Sequence, residues 1–314
     1  MEKRMSIFFL QLGTNMWADM GSQVLHNPFS TELVTQDSAF REVVDALPGF
    51  GFDTVLIDIG DAVCYESHPE LAIKGSWSKD KMKQELDHMR AIGLTPLPKL
   101  NFSAGHDAWL KEYARMLSTP VYYQVCEDII KEIAELFETP QLIHLGMDEE
   151  YHNKSRSLAR VRQGDLWWHD QYFFYGICEK YGMRPWVWSD ACRYNPERYC
   201  QKMPKSVMQS NWCYRPVLLE PDGSFTEPYY GVYHQLEKYG FDQIPTCSSI
   251  GRWCNALELM DLAKDVIAPE RLFGFITAPW NRITEEAKYF ALNDASRFFY
   301  AREKVFPDWN KDGK

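Results

Sequence analysis

Along the 314 residues, a short apolar run is followed by an amphipathic stretch with helical spacing about eight times. The apolar runs cover residues 7–13, 54–60, 95–100, 142–147, 185–189, 207–211, 244–248 and 272–277. Nearly continuous apolar runs suit strands buried on both faces, as in a parallel sheet. Helices are expected over 79–92, 122–137, 163–180, 229–239, 256–266 and 284–301. In the first of these, Met82, Leu86, Met89 and Ile92 recur at three- and four-residue steps and line one face. Gly93 and Gly182 follow helices where a C-cap glycine belongs. Eight such alternations predict an α/β chain folded as a (β/α)8 TIM barrel. Chain length alone, at roughly 150 residues per domain, suggests two domains, but barrels routinely exceed that in one piece. No Ser- or Gly-rich linker divides the sequence, so the expectation is a single catalytic domain over residues 1–314.

Composition removes several classes of function. Hydrophobic residues are 45% and charged residues 25%, which excludes disorder and collagen-like structure. The 34 basic and 44 acidic residues give a net charge of −10, and the basic ones form no stripe, so no nucleic-acid partner is expected. The longest apolar runs fall far short of the roughly 18 residues a membrane span needs, so no membrane association is expected. Lys3 and Arg4 precede the first apolar run, but that run is short, contains Gln11, and lacks a small-residue cleavage site. It reads as a first strand. The 8 Cys include no C-x-x-C pair and read as reduced thiols in a cytoplasmic protein. Aromatic residues are 15%, with 11 Trp and 17 Tyr, which fits a large core and a sugar-stacking cleft equally well.

A barrel places its chemistry at the C-terminal ends of its strands. After the fourth run come Asp148, Glu149 and Glu150. Where the backbone turns at a strand end, neighbouring side chains can share one pocket, which can keep one carboxyl protonated and another ionised. The bland alternative is a solvated acidic turn or helix N-terminus. Asn101 and His106 follow the third run, Trp188 and Asp190 end the fifth, and Trp212 and Tyr214 end the sixth. Trp280 lies beyond the eighth and Asp61 beyond the second. Indoles repeated at matching strand ends can wall a pocket.

Together these pieces resemble the catalytic barrel of family 20 glycoside hydrolases, the β-N-acetylhexosaminidases. The family's strand-four motif H-x-G-G-D-E reads here His144-Leu145-Gly146-Met147-Asp148-Glu149, with Met147 in place of the second Gly. Its strand-three motif reads Pro98-Lys99-Leu100-Asn101-Phe102-Ser103-Ala104-Gly105-His106, with one extra residue and three changed ones. Pro69-Glu70-Leu71, Gly75-Ser76-Trp77-Ser78 and Arg90-Ala91-Ile92-Gly93-Leu94 also look like the family. The resemblance is best over residues 50–190. It implies a retaining, substrate-assisted glycosidase, an exception to the usual pair of enzymic carboxylates. The substrate would be a carbohydrate with a terminal β-linked N-acetylhexosamine. By motif match, Asp148 would orient the 2-acetamido group and Glu149 would be general acid and base. His106 would support the site, Trp188, Trp212 and Trp280 would wall the sugar, and Asp61 would hold a hydroxyl or His106. No cofactor and no metal are implied. The sequence departs from the family in lacking an Arg within Leu12-Gly13-Thr14-Asn15 at the end of strand one. Lys99 and Asn101 replace two acidic residues, strand seven offers no matching Tyr, and the expectation is a barrel without the family's smaller N-terminal α/β domain.

Other readings remain open at this point. A metal-dependent barrel would use His144, Asp148, Glu149 and His152 as ligands. A glycosidase of a related barrel family, or a sugar-binding barrel without turnover, would use the Trp walls differently. A one-residue change of register would make Glu150 the acid. The stretch 156–162, with three Arg, reads as a solvated helix face before it reads as an anion site. Phe173-Phe174 and Phe298-Phe299 suit a homo-oligomer interface and burial against the barrel equally.

Overall fold

Each apolar run supplies one strand of a computed structural model that describes residues 4–16, 29–150, 162, 164–218, 222, 224–250 and 255–309. The strands are β1 (Met5–Gln11), β2 (Thr54–Asp58), β3 (Thr95–Lys99), β4 (Leu142–His144), β5 (Arg184–Trp188), β6 (Met208–Ser210), β7 (Thr246–Cys247) and β8 (Gly274–Thr277). All pairings are parallel, in the order β6-β5-β4-β3-β2-β1-β8-β7. The gap between β6 and β7 is bridged by two isolated pairs, Gln209 with Gln243 and Trp212 with Thr246. There the Ile244 amide donates to Gln209 O at 2.9 Å and the Thr246 amide to Asn211 O at 3.0 Å. The result is the expected (β/α)8 TIM barrel.

Helices α1 (Asp37–Ala46), α2 (Lys79–Ala91), α3 (Pro120–Leu136), α4 (Asp165–Lys180), α5 (Pro196–Lys202), α6 (Gly231–Lys238), α7 (Ala256–Val266) and α8 (Lys288–Val305) surround it. Local signals set the starts of some of them. The Ser78 side chain accepts from the Lys81 amide to cap α2, and Thr119 accepts from the Tyr122 amide to cap α3 ahead of Pro120. Two helices fall outside the six the sequence suggested. One of them, α5, has only seven residues, too few for a periodic pattern to register. The other, α1, buries Ala39, Phe40, Val43 and Val44 on one face. Helix α8 begins and ends four residues later than expected, since Thr284 stays in a turn and the helix runs on to Val305. Phe174 and Phe298 are fully buried, while Phe173 is half-buried and Phe299 exposed. Among the described residues, no helix is long and apolar enough to cross a membrane.

Two apolar cores result. One fills the space between strands and helices. The other lies inside the barrel and contains Ile7, Phe9, Leu56, Leu97, Leu142, Trp186, Trp188 and Met208. Side chains alternate along a strand, so the inward positions above Leu56, Leu97 and Leu142 fall to Asp58, Lys99 and His144. These three share one register line with Trp186. Polarity thus rises along the barrel axis, from an apolar floor toward a charged mouth. Lys99 Nζ donates to Asp58 Oδ2 at 2.7 Å, and both side chains are almost wholly buried. Burial pushes the Asp58 carboxyl up, and the Lys99 charge opposes it. Such a pair matters most when broken, because the survivor is left charged and dry. Lys99→Met is therefore expected to cost about 3 kcal/mol in urea unfolding at pH 7, most of it recovered in Lys99→Met/Asp58→Asn. An equal loss in the double variant would show that shape matters there and charge does not.

Candidate active site

The site is built on the segment that leaves β4. Its backbone enters the left-handed region at Gly146 (φ 74°), Met147 (φ 71°) and Glu149 (φ 54°). Only Gly fits the first of these, because a Cβ there would also lie 2.2 Å from Asn101 Oδ1. Strand β5 holds this turning segment. Leu145 N donates to Trp186 O at 2.8 Å, and Trp188 N donates to Gly146 O at 2.9 Å. His144 lies against the Trp186 and Trp188 rings, with centroids 4.8 and 4.2 Å away. Burial drives its imidazole well below the ordinary range, so it is neutral, and its Nδ1 accepts from Gly146 N at 3.0 Å. His144 thus belongs to the barrel interior rather than to a ligand set. His152 lies outside the described residues, and among those described no group of three His, Cys, Asp or Glu is placed to hold a metal.

The turn brings Asp148 and Glu149 to opposite edges of one imidazole. His106 Nδ1 lies 3.1 Å from Asp148 Oδ1, and His106 Nε2 lies 3.6 Å from Glu149 Oε2. Asn101 Nδ2 donates to the same Asp148 oxygen at 3.1 Å, and Ser103 Oγ donates to the Asp148 carbonyl at 2.5 Å. Burial alone would raise Asp148. The adjacent His106 charge and hydrogen bond, then Lys99 and Asn101, outweigh burial and hold the carboxyl well below the usual range. Burial alone would lower His106, but the charge and hydrogen bond of Asp148, with Glu149 beside it, raise it to about 10. At neutral pH the buried pair is an imidazolium against a carboxylate. Glu149 keeps 25% of its side chain exposed, against 11% for Asp148, so it is the carboxyl nearer solvent.

Glu150 is placed differently. It forms an ion pair with Arg162 at 2.5 Å, accepts from Ala104 N at 3.1 Å, and has a side chain only 2% exposed. Arg162 is itself buried and also pairs with Asp170 at 3.1 Å. Asp170 in turn accepts from Tyr123 and Ser118. Arg162 is therefore a buried anchor, not part of a solvated face. Its partners, 12 and 8 positions away, gave no local signal. The rest of the stretch 156–161 lies outside the described residues.

The expected aromatics meet in one band. Trp188 is buried, and its ring centroid lies 6.2 Å from that of Trp280. Trp280 Nε1 donates to Tyr214 OH at 3.0 Å, and Tyr214 stacks on Trp212 at 5.3 Å. Trp212, Tyr214 and Trp280 are half-buried, so the band runs from the interior to the mouth. Asp61 lies to one side. It accepts from Asn15 Nδ2 at 2.7 Å, and burial pushes its carboxyl up to about 6. Asn15 occupies the run where the resemblance expects an arginine. Asp190 is fully buried, and its Oδ2 accepts from the Glu149 amide at 3.1 Å. Neither Ser103 nor the Lys99–Asp58 pair stands out in the sequence as part of the site. Ser103 lies within the quoted strand-three segment. The signal for the ion pair was two opposite charges at matching places in two apolar strands.

No family model and no curated protein matches this sequence. Solved structures do match by fold. The GH20 exo-β-N-acetylglucosaminidase of Vibrio harveyi in complex with N-acetylglucosamine aligns with 99% of this chain and 58% of its own, at a TM-score of 0.64 and 13% identity. The β-N-acetylhexosaminidase of Bacteroides fragilis NCTC 9343 aligns with 98% of this chain and 71% of its own, at 0.62 and 13%. The GH20 β-N-acetylhexosaminidase of Streptomyces coelicolor A3(2) aligns with 95% and 64%, at 0.61 and 11%. The chain shares the barrel fold of these GH20 structures, and it spans 58% of the Vibrio protein's length.

The charge pattern has a direct check. His106 owes its raised value first to Asp148, so Asp148→Asn is expected to bring the imidazole titration, followed by NMR, back toward the ordinary histidine range. A midpoint that stays near 10 would remove Asp148 as the cause.

Proposed function

We propose that this barrel is a glycoside hydrolase that releases terminal β-linked N-acetylhexosamine with help from the substrate's own 2-acetamido group. The observation that carries the reading is the single His106 ring between Asp148 and Glu149, with a band of indoles beside it. The two carboxyls differ as acid and stabiliser must. Asp148 is buried, hydrogen-bonded and held ionised, which suits a group that stays anionic beside a developing cation. Glu149 is more exposed, and sugar filling the mouth would strip its water and favour its protonated form.

In the proposed reaction the acetamido oxygen attacks the anomeric carbon while the bond to the leaving oxygen breaks. Glu149 gives its proton to that oxygen, and Asp148 accepts a hydrogen bond from the acetamido N–H as positive charge spreads over the oxazolinium ring. A water then attacks the anomeric carbon and yields its proton to Glu149, while the bond from that carbon to the acetamido oxygen breaks and the acetamido group is restored. The product keeps the β configuration. His106 balances the charge of Asp148 throughout. Trp188 would back the acetamido pocket, with Trp212, Tyr214 and Trp280 stacking on C–H faces of the sugar. Asp61 and Asn15 would meet hydroxyls where the resemblance expects an arginine.

The test is hydrolysis of aryl β-glycosides with and without the 2-acetamido group. Release is expected from the acetamido sugars alone, with kcat falling about 10²- to 10⁴-fold in Glu149→Gln. Equal release from sugars lacking the acetamido group would contradict substrate assistance. Binding without turnover by the wild type would turn the reading to a sugar-binding barrel.

A further inference from the structure

Hydrogen bonds from β5 follow the catalytic segment one step beyond the strand itself. Leu145 and Gly146 bond to the backbone of Trp186 and Trp188 in the manner of a parallel ladder. The left-handed residues Gly146 and Met147 then carry the chain away, and the Glu149 amide meets a side chain of the β5 arm. The Asp190 side chain accepts from it, from the start of the short 3-10 turn that follows β5. We infer that Asp190 is a positioning residue for Glu149: its carboxyl supplies the rung that fixes the left-handed turn carrying the acid. This rests on the function proposed above for Glu149.

An uncharged form follows from the surroundings. Asp190 has no exposed surface, and its Oδ1 is buried with no hydrogen-bond partner among the described residues. A charged oxygen there would be costly, so the proton belongs on Oδ1, leaving Oδ2 to accept from Glu149. Burial first, then the Asp148 charge, raises the group to about 8; the hydrogen bond from the Glu149 amide and the Arg193 charge oppose the rise, and the Glu149 charge adds to it. Tyr199 also senses its charge. Ionisation of Asp190 would put a third negative charge beside Asp148 and Glu149. Activity is therefore expected to fall on the alkaline side as Asp190 ionises.

Raised carboxyls have a fixed linkage sign. The stability associated with neutral Asp190 is fully present below its ordinary value of 3.8 and is lost as pH rises through about 8. The test compares Asp190→Ala and Asp190→Asn, the latter keeping an oxygen for the Glu149 amide. Asp190→Ala is expected to lower kcat about 10²-fold with KM little changed, and Asp190→Asn to recover most of that loss. Asp190→Asn should also move the alkaline limb of the kcat profile upward. It should raise Tm relative to wild type at pH 8, with no gain near pH 4. The Glu149 amide should exchange with solvent faster in Asp190→Ala alone. A folded Asp190→Ala with full kcat, or Asp190→Asn as impaired as Asp190→Ala, would overturn the inference. If the wild type hydrolyses no glycoside, amide exchange and the pH dependence of Tm still test the rung, and the failure lies with the function of Glu149.

Discussion

One imidazolium shared by two neighbouring carboxyls is the interaction on which the site depends. It requires Asp148 and Glu149 to reach the same ring, and a regular strand cannot deliver that, because adjacent side chains leave on opposite faces. The chain meets the requirement with left-handed residues on both sides of Asp148. Such conformations are costly for Met147 and Glu149, which have a Cβ, and they persist only where the surroundings hold them. Here the holding groups are the β5 backbone, Ser103 on the Asp148 carbonyl, Asp190 on the Glu149 amide, and the Glu150–Arg162 pair just beyond.

The electrostatics extend below the site. The Asp58–Lys99 pair sits one inward position beneath Asn101, and Lys99 helps keep Asp148 ionised. Where the resembling family has acidic residues, this chain places a lysine and an amide. The balance is kept by pairing: Lys99 is matched by Asp58, Asp148 by His106, and Glu150 by Arg162. Buried charges survive in a barrel interior only when matched in this way.

The sequence made the barrel legible because its signals are local and repeated. Eight apolar runs, the face formed by Met82, Leu86 and Met89, and glycines after helices each need only a short window. The neighbourhood of Asp148, Glu149 and His106 was legible through motif spacing, with Asn101 beside it. What stayed hidden depends on tertiary distance. Arg162 looked like one of several surface arginines, because its burial depends on Glu150 and Asp170 folding around it. Asp190 looked like one more polar residue after a strand, because its bond to Glu149 spans 41 positions. The Met147 side chain gave no sign of its left-handed backbone, which showed only in the second Gly that the motif has at this place.

The most direct measurement of the central claim is the configuration of the first sugar released, followed by ¹H NMR before mutarotation. Attack by the acetamido oxygen followed by water means two displacements at the anomeric carbon, so the account predicts the β anomer first. The α anomer appearing first would mean a single displacement by water. Asp148 would then have to act as a base, and the roles drawn from the His106 bridge would be wrong.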